Sequence, residues 1–297
     1  MASLSEILNS KAEMKQQRTE SRRAEREQLS QMRDGALMAI TTNPDLYARF
    51  LVLQADNIGL STGNIALSLS QMKDPTKIGT TDFWHKQGRY VMDEEMSKGA
   101  TVFVPPRNTN FRGYLMGSYY DVSQTTGRPL KETEPLAEGS DRMNAAFAAL
   151  LDTAPVGFIE NTGLDVPVRY NERECILEIN TEYSTGQVFA ALATEISFAR
   201  LHDRGMNRDY DRGAFQLNAE SVGFMVCRRF GVDCPVPDAA GVQQFYSYYS
   251  PDDRGKSLDF MRQTARNMGD TVERGIQPRQ QEHTASRGSN NRQYGRR

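Results

Sequence analysis

Thr194-Glu195-Ile196-Ser197-Phe198-Ala199-Arg200-Leu201-His202 is the stretch whose reading decides the fold. It lies in a helical run over 186–202. A second helical run over 215–230 carries Asn218-Ala219-Glu220-Ser221. A zinc peptidase site needs His-Glu-x-x-His on the first of two such helices and a carboxylate ligand on the second. Residues four apart share a helix face, so both histidines reach one ion. Here those two positions are Thr194 and Phe198, while Glu195 keeps the general-base position and Glu220 the downstream carboxylate. Threonine is a poor zinc ligand and phenylalanine offers no lone pair. The pair of helices is therefore expected to be the shell of a metallopeptidase site without its metal. Its fold must then be held by an apolar core rather than by zinc.

Working outward, the second half of the chain supplies what such a pair of helices needs. An apolar helix is expected over 144–151, then short strands over 156–159, 166–170 and 175–179. Gly231 is placed as a helix C-terminal glycine. Apolar spacing through Leu258, Met261, Ala265, Met268 and Val272 predicts a further helix over 256–274. In the first half, Asn43-Pro44 predicts a helix start, with Tyr47, Phe50, Leu51 and Leu53 on its apolar face. Residues 64–72 predict another helix, ended by Asp74-Pro75. Thr81 or Asp82 is expected to cap a short one carrying Phe83 and Trp84. Residues 100–104 and 114–122 are strand-like, joined by a loop with Pro105, Pro106 and Asn108.

These elements predict an α+β protein: a small N-terminal domain of helices on an antiparallel sheet, then a zincin-like α+β domain. Residues 1–35 form a charged, exposed helical arm whose heptads do not persist. The first domain spans 36–130. Residues 131–142, polar and acidic with Pro135, form a linker expected neither to bury nor to stiffen. The second domain spans 143–276, and 277–297 is a basic tail expected to be disordered.

Composition narrows the function. The chain has 297 residues, 38% hydrophobic and 25% charged, with a formal net charge of −2. That excludes a global electrostatic case for nucleic acid, so any such case rests on local patches. Cys175, Cys227 and Cys234 lack paired spacing, which argues against a disulfide framework and against a cysteine zinc site. No apolar run is long enough to cross a bilayer and no signal-peptide core is visible. The expectation is a cytoplasmic protein with reduced thiols and no membrane partner.

A resemblance enters through Tyr119-Tyr120-Asp121-Val122-Ser123-Gln124-Thr125-Thr126-Gly127-Arg128-Pro129-Leu130. This run resembles the end of the N-terminal domain in ArdC-type antirestriction proteins. Asn64, Gln71, Asp74-Pro75, Gly79, Phe83-Trp84, Gly88-Arg89, Lys98-Gly99 and Pro105 are similar to that domain's upstream pattern, in the same order. Ala219-Glu220-Ser221-Val222, Val226-Cys227-Arg228 and Phe230-Gly231 are similar to the second motif helix of its zincin-like domain. The resemblance implies single-stranded-DNA binding by the first domain, a zinc peptidase-like second domain, and association with plasmids, conjugative elements or phage. The departures at Thr194 and Phe198 put zinc and proteolysis in doubt, but not the fold.

Trp84, His85, Lys86, Arg89 and Tyr90 form an aromatic-basic cluster. Single strands are held by aromatic platforms beside cations that track phosphates. The competing reading makes the aromatics core and the cations ordinary surface. For Phe83 the core reading is preferred. For Lys86 and Arg89 the two are even, and the resemblance tips them towards DNA. Lys98 and Arg112 extend the DNA-binding set. Glu195 is expected to be an ion-pair partner of Arg200 or Arg204. The expected function is a non-catalytic, single-stranded-DNA-binding, antirestriction-like accessory protein of a mobile element, without cofactor, with a host restriction or mobile-element protein as second partner. The alternative is a metal-dependent hydrolase in which His202 and Glu220, with Asp203 or Glu195, converge on one ion, zinc.

Overall fold

The structure is a computed structural model and describes residues 4–106, 113–131 and 133–277. Helix α1 (Leu4–Ile40) is followed by α2 (Pro44–Asp56) and α3 (Thr62–Gln71). Strand β1 (Ile78–Gly79), α4 (Thr81–Lys86), β2 (Arg89–Val91), β3 (Ala100–Val104), β4 (Leu115–Asp121) and β5 (Thr125–Gly127) complete the first half. The second half runs α5 (Asp141–Leu151), β6 (Gly157–Glu160), β7 (Val168–Asn171), β8 (Ile176–Ile179), α6 (Thr185–His202), α7 (Gln216–Phe230), α8 (Val242–Phe245) and α9 (Pro251–Ile276). The fold is α+β, as expected.

Local chemistry starts and stops these helices. Asn43 accepts from the Leu46 N–H at 3.1 Å ahead of Pro44 at the first helical position. Ser184 and Gln187 form a capping box on α6. Gly231 ends α7 at φ 63°, and a Cβ there would lie 2.8 Å from Pro135, so both backbone and packing require glycine. On α4 the cap is Thr80, not Thr81 or Asp82, because its hydroxyl is the one that reaches the Phe83 N–H.

In the first half, β3 and β4 pair antiparallel from Ala100↔Tyr119 to Val104↔Leu115, with β1 on the other side of β4. Helix α3 closes the free edge of β3 with side-chain amides. Asn64 donates to the Phe103 carbonyl at 2.7 Å and accepts from its N–H at 3.1 Å. Gln71 does the same for Thr101, both at 3.0 Å. Covering an edge in this way blocks further strand pairing. The Asp-Val-Ser-Gln-Thr run is a 3₁₀ turn organised by buried Asp121. That carboxylate accepts from Ser123 and, across the chain, from the Thr76 N–H at 2.7 Å. The residues that carry the resemblance thus fix backbone.

In the second half, the sheet order is β6-β8-β7, with β6 parallel and β7 antiparallel to β8. Strand β7 packs on α6, and α6 on α7. Three boundaries differ from expectation. Helix α1 passes through residue 35 unbroken to Ile40, because Leu29, Ala36, Leu37 and Ile40 are buried and only its first part is an exposed arm. The segment 131–142 is docked, not loose: Leu136 is buried and donates to the Phe230 carbonyl at 2.9 Å, and Glu138 accepts from the first N–H groups of α6. One apolar core runs through both halves, with α2 against α7 and α1 against α9. The basic tail expected over 277–297 lies, except for Gln277, outside the described residues.

Candidate functional site

The face of α6 that carries Thr194 and Glu195 opens on a cleft of about 740 Å³, also lined by Arg212, Gln216, Glu220 and Cys234. Each expected metal position is committed elsewhere. Thr194 sits where α6 crosses α7, and its hydroxyl leans back on the Ala190 carbonyl at 3.5 Å. Opposite it is Gly223, where a Cβ would collide with Thr194 Oγ1. Phe198 is buried, and the Arg212 guanidinium lies 3.9 Å from its ring centroid. Such a contact is a cation–π interaction.

Glu195 is 7% exposed, and both carboxylate oxygens are used. Oε1 accepts from Arg212 Nη2 at 2.5 Å, and Oε2 accepts from the Tyr170 N–H at 2.8 Å. The expected partners, Arg200 and Arg204, instead donate to the carbonyls of Thr153 and Pro155. Arg200 on α6 and Arg204 just beyond its end both reach the carbonyls that follow α5, whereas Arg212 arrives from the loop before α7. Burial works against a charged guanidinium, yet Glu195, Tyr210 and Glu172 together outweigh it and hold Arg212 above its ordinary pKa.

Glu220 is half-buried and accepts from Gln216 Nε2 at 2.8 Å. His202 does not join it. Its Nδ1 is 2.7 Å from the Tyr170 hydroxyl, and its ring stands 4.6 Å from that of Tyr210. His202 is not among the residues that line the cleft. Among the described residues, no group of three or more His, Cys, Asp or Glu is placed to hold a metal ion. The donors that the resemblance implies therefore do not fit zinc, and the set His202, Glu195 and Glu220 does not converge.

The aromatic-basic cluster also rearranges. Trp84 is 0% exposed and its indole donates to the Tyr120 carbonyl at 3.0 Å, so it is core and presents no face to a base. Phe83, expected in the core, is half-buried. Arg89 spends its guanidinium on Thr125 Oγ1, the Thr125 carbonyl and the Arg128 carbonyl, at 2.8, 2.8 and 2.6 Å, which ties β2 to β5. Lys98 pairs with Glu95 at 2.7 Å. Arg112 lies outside the described residues. Lys86 is exposed, beside a His85–Tyr90 ring pair 5.0 Å apart with Tyr90 57% exposed.

A second basic-aromatic feature was not legible in advance. Arg22, Arg23 and Arg26 of α1 share a groove of about 780 Å³ with Tyr114, Leu115 and Met116 of the β4 end. Arg26 and Tyr114 continue into a neighbouring groove of about 1080 Å³ with Arg33, Phe103 and Lys256. Positions 22, 26 and 33 fall on one helical stripe. Tyr114 is 58% exposed. Arg22, Arg23 and Arg26 form no ion pair among the described residues. The helical spacing of these arginines was the available signal, but Tyr114 is brought opposite them only by the β3–β4 hairpin.

No protein-family model matches the chain, and no curated protein matches it. Among solved structures, the chain is similar to the metal-free antirestriction protein ArdC from plasmid R388, with 17% identity and a TM-score of 0.44 over 72% of this chain and 84% of that one. It is similar to the Mn(II)-bound structure of the same protein, with 19% identity and a TM-score of 0.46 over 73% of this chain and 85% of that one.

Proposed function

We propose that this chain is a non-catalytic, single-stranded-DNA-binding accessory protein of a mobile genetic element, antirestriction-like in role. The observation that carries the binding half is the α1 groove, where Arg22, Arg23 and Arg26, without ion pairs among the described residues, stand against exposed Tyr114. Cations at roughly 6 Å spacing along a helix (four residues at about 1.5 Å each) follow a phosphate backbone, and an exposed ring stacks a base without reading its identity. His85, Lys86 and Tyr90 supply a second platform of the same chemistry. The motif order around Asp121 supports the antirestriction-like role through its resemblance. The non-catalytic half is supported by Glu195, whose two oxygens are engaged by Tyr170 and Arg212, and by Thr194 and Phe198 at the two helix-ligand positions, neither of which offers zinc a good donor.

The test is fluorescence anisotropy with a labelled oligothymidine at low and moderate salt. Binding should weaken steeply with salt, because condensed counterions are released. Arg22→Ala with Arg26→Ala should weaken it about tenfold or more at low salt and flatten the salt slope by about one to two. Folded wild-type protein that binds nothing at low salt would refute the reading.

A further inference from the structure

A guanidinium covers the face of α6 on which the resemblance expects a metal. Arg212 Nη2 is 2.5 Å from Glu195 Oε1, its guanidinium carbon is 3.9 Å from the Phe198 ring centroid, and Nη1 is 3.9 Å from Glu172 Oε1. One side chain therefore touches both the former base position and the former second ligand position. Nη1 is buried and makes no hydrogen bond among the described residues, so the group is held there by charge and stacking rather than by a complete set of bonds. Glu220 lines the same cleft. A buried carboxylate such as Glu195 requires a counter-charge, and this chain has no histidine at 194 or 198 to bring one in as metal.

We propose that Arg212 is the resident cation of this cleft, a built-in replacement for the metal ion that pairs with Glu195 and keeps α6 joined to the loop before α7. The phenylalanine at 198 is then part of the same exchange: its ring receives the guanidinium where an imidazole would oppose it. The cleft becomes closed to divalent ions, since its carboxylate is already neutralised at contact distance. This inference is independent of DNA binding and survives its failure.

The test is a charge-deletion cycle read by thermal melting of the full chain, with Mn(II) as the ion probe. Arg212→Ala should lower Tm by about 5 °C or more, because it strands the Glu195 carboxylate. Arg212→Lys should lower it less. Adding Glu195→Gln to Arg212→Ala should recover at least half of the loss, and this also covers the case in which the single variant fails to fold. Wild-type protein should take up no stoichiometric Mn(II) by electron paramagnetic resonance. A double variant as unstable as Arg212→Ala, an Arg212→Ala protein that melts like wild type, or one Mn(II) per wild-type chain lost on Glu195→Gln would each overturn the proposal.

Discussion

Tyr47 offers the sharpest test of whether the two halves of the chain are one cooperative unit. It sits on α2, is 0% exposed, and its hydroxyl is 2.9 Å from Ser221 Oγ on α7 and 3.8 Å from Met261 Sδ on α9. Ser221 donates to the Leu217 carbonyl at 2.6 Å, so the phenol donates to Ser221. Burial holds the Tyr47 phenol well above its ordinary pKa, so this donor keeps its proton at any working pH. Tyr47→Phe removes one buried hydrogen bond and should cost about 1 kcal/mol. Tyr47→Ala also empties a ring-sized volume between the halves and should cost about 3–5 kcal/mol. With 297 residues the unfolding entropy is about 0.6 kcal/mol/K, so Tm should fall by about 2 °C and about 5–8 °C respectively. Differential scanning calorimetry should show a single transition that moves as a whole. Two transitions, of which only one responds to Tyr47→Ala, would refute the reasoning. The halves would then melt as separate domains divided near 131–142.

Other expectations follow from single contacts. Gly223→Ala should destabilise by about 1–3 kcal/mol through collision with Thr194, and Thr194→Gly should relieve much of it; an additive pair of melts would deny the crossing contact. Trp84→Ala should unfold or strongly destabilise the chain, about 3–5 kcal/mol, whereas Lys86→Ala should leave Tm unchanged and weaken oligonucleotide binding; circular dichroism and anisotropy separate the two. The Cys227 thiol lowers the pKa of half-buried Cys234, while its hydrogen bond with Cys234 and its burial raise its own. As pH rises, iodoacetamide should therefore label Cys234 well before Cys227, and Cys227→Ala should shift Cys234 labelling to higher pH; mass spectrometry that finds Cys227 modified first would contradict this.

The local grammar of the chain was legible in its sequence. Asn43-Pro44 and Gly231 specify helix ends within a few residues of themselves, and each does so in the structure. The same holds for the two helices and for Thr194 and Phe198 at positions 194 and 198, since those are facts about identity and period. What the sequence could not show depends on which groups arrive from elsewhere. Trp84 and Tyr90 are both aromatic neighbours of cations, and only the packing of α4 on β4 decides that one is core and the other surface. Segment 131–142 has a linker's composition, yet Leu136 and Glu138 find partners on α7 and α6. Arg212 stands seventeen positions from Glu195, with no periodic relation to it. Charges pair by distance in space, and the low cost of bringing a long guanidinium to a buried carboxylate is set by the tertiary fold. That fold alone brings Arg212 onto Glu195 and over the ring of Phe198.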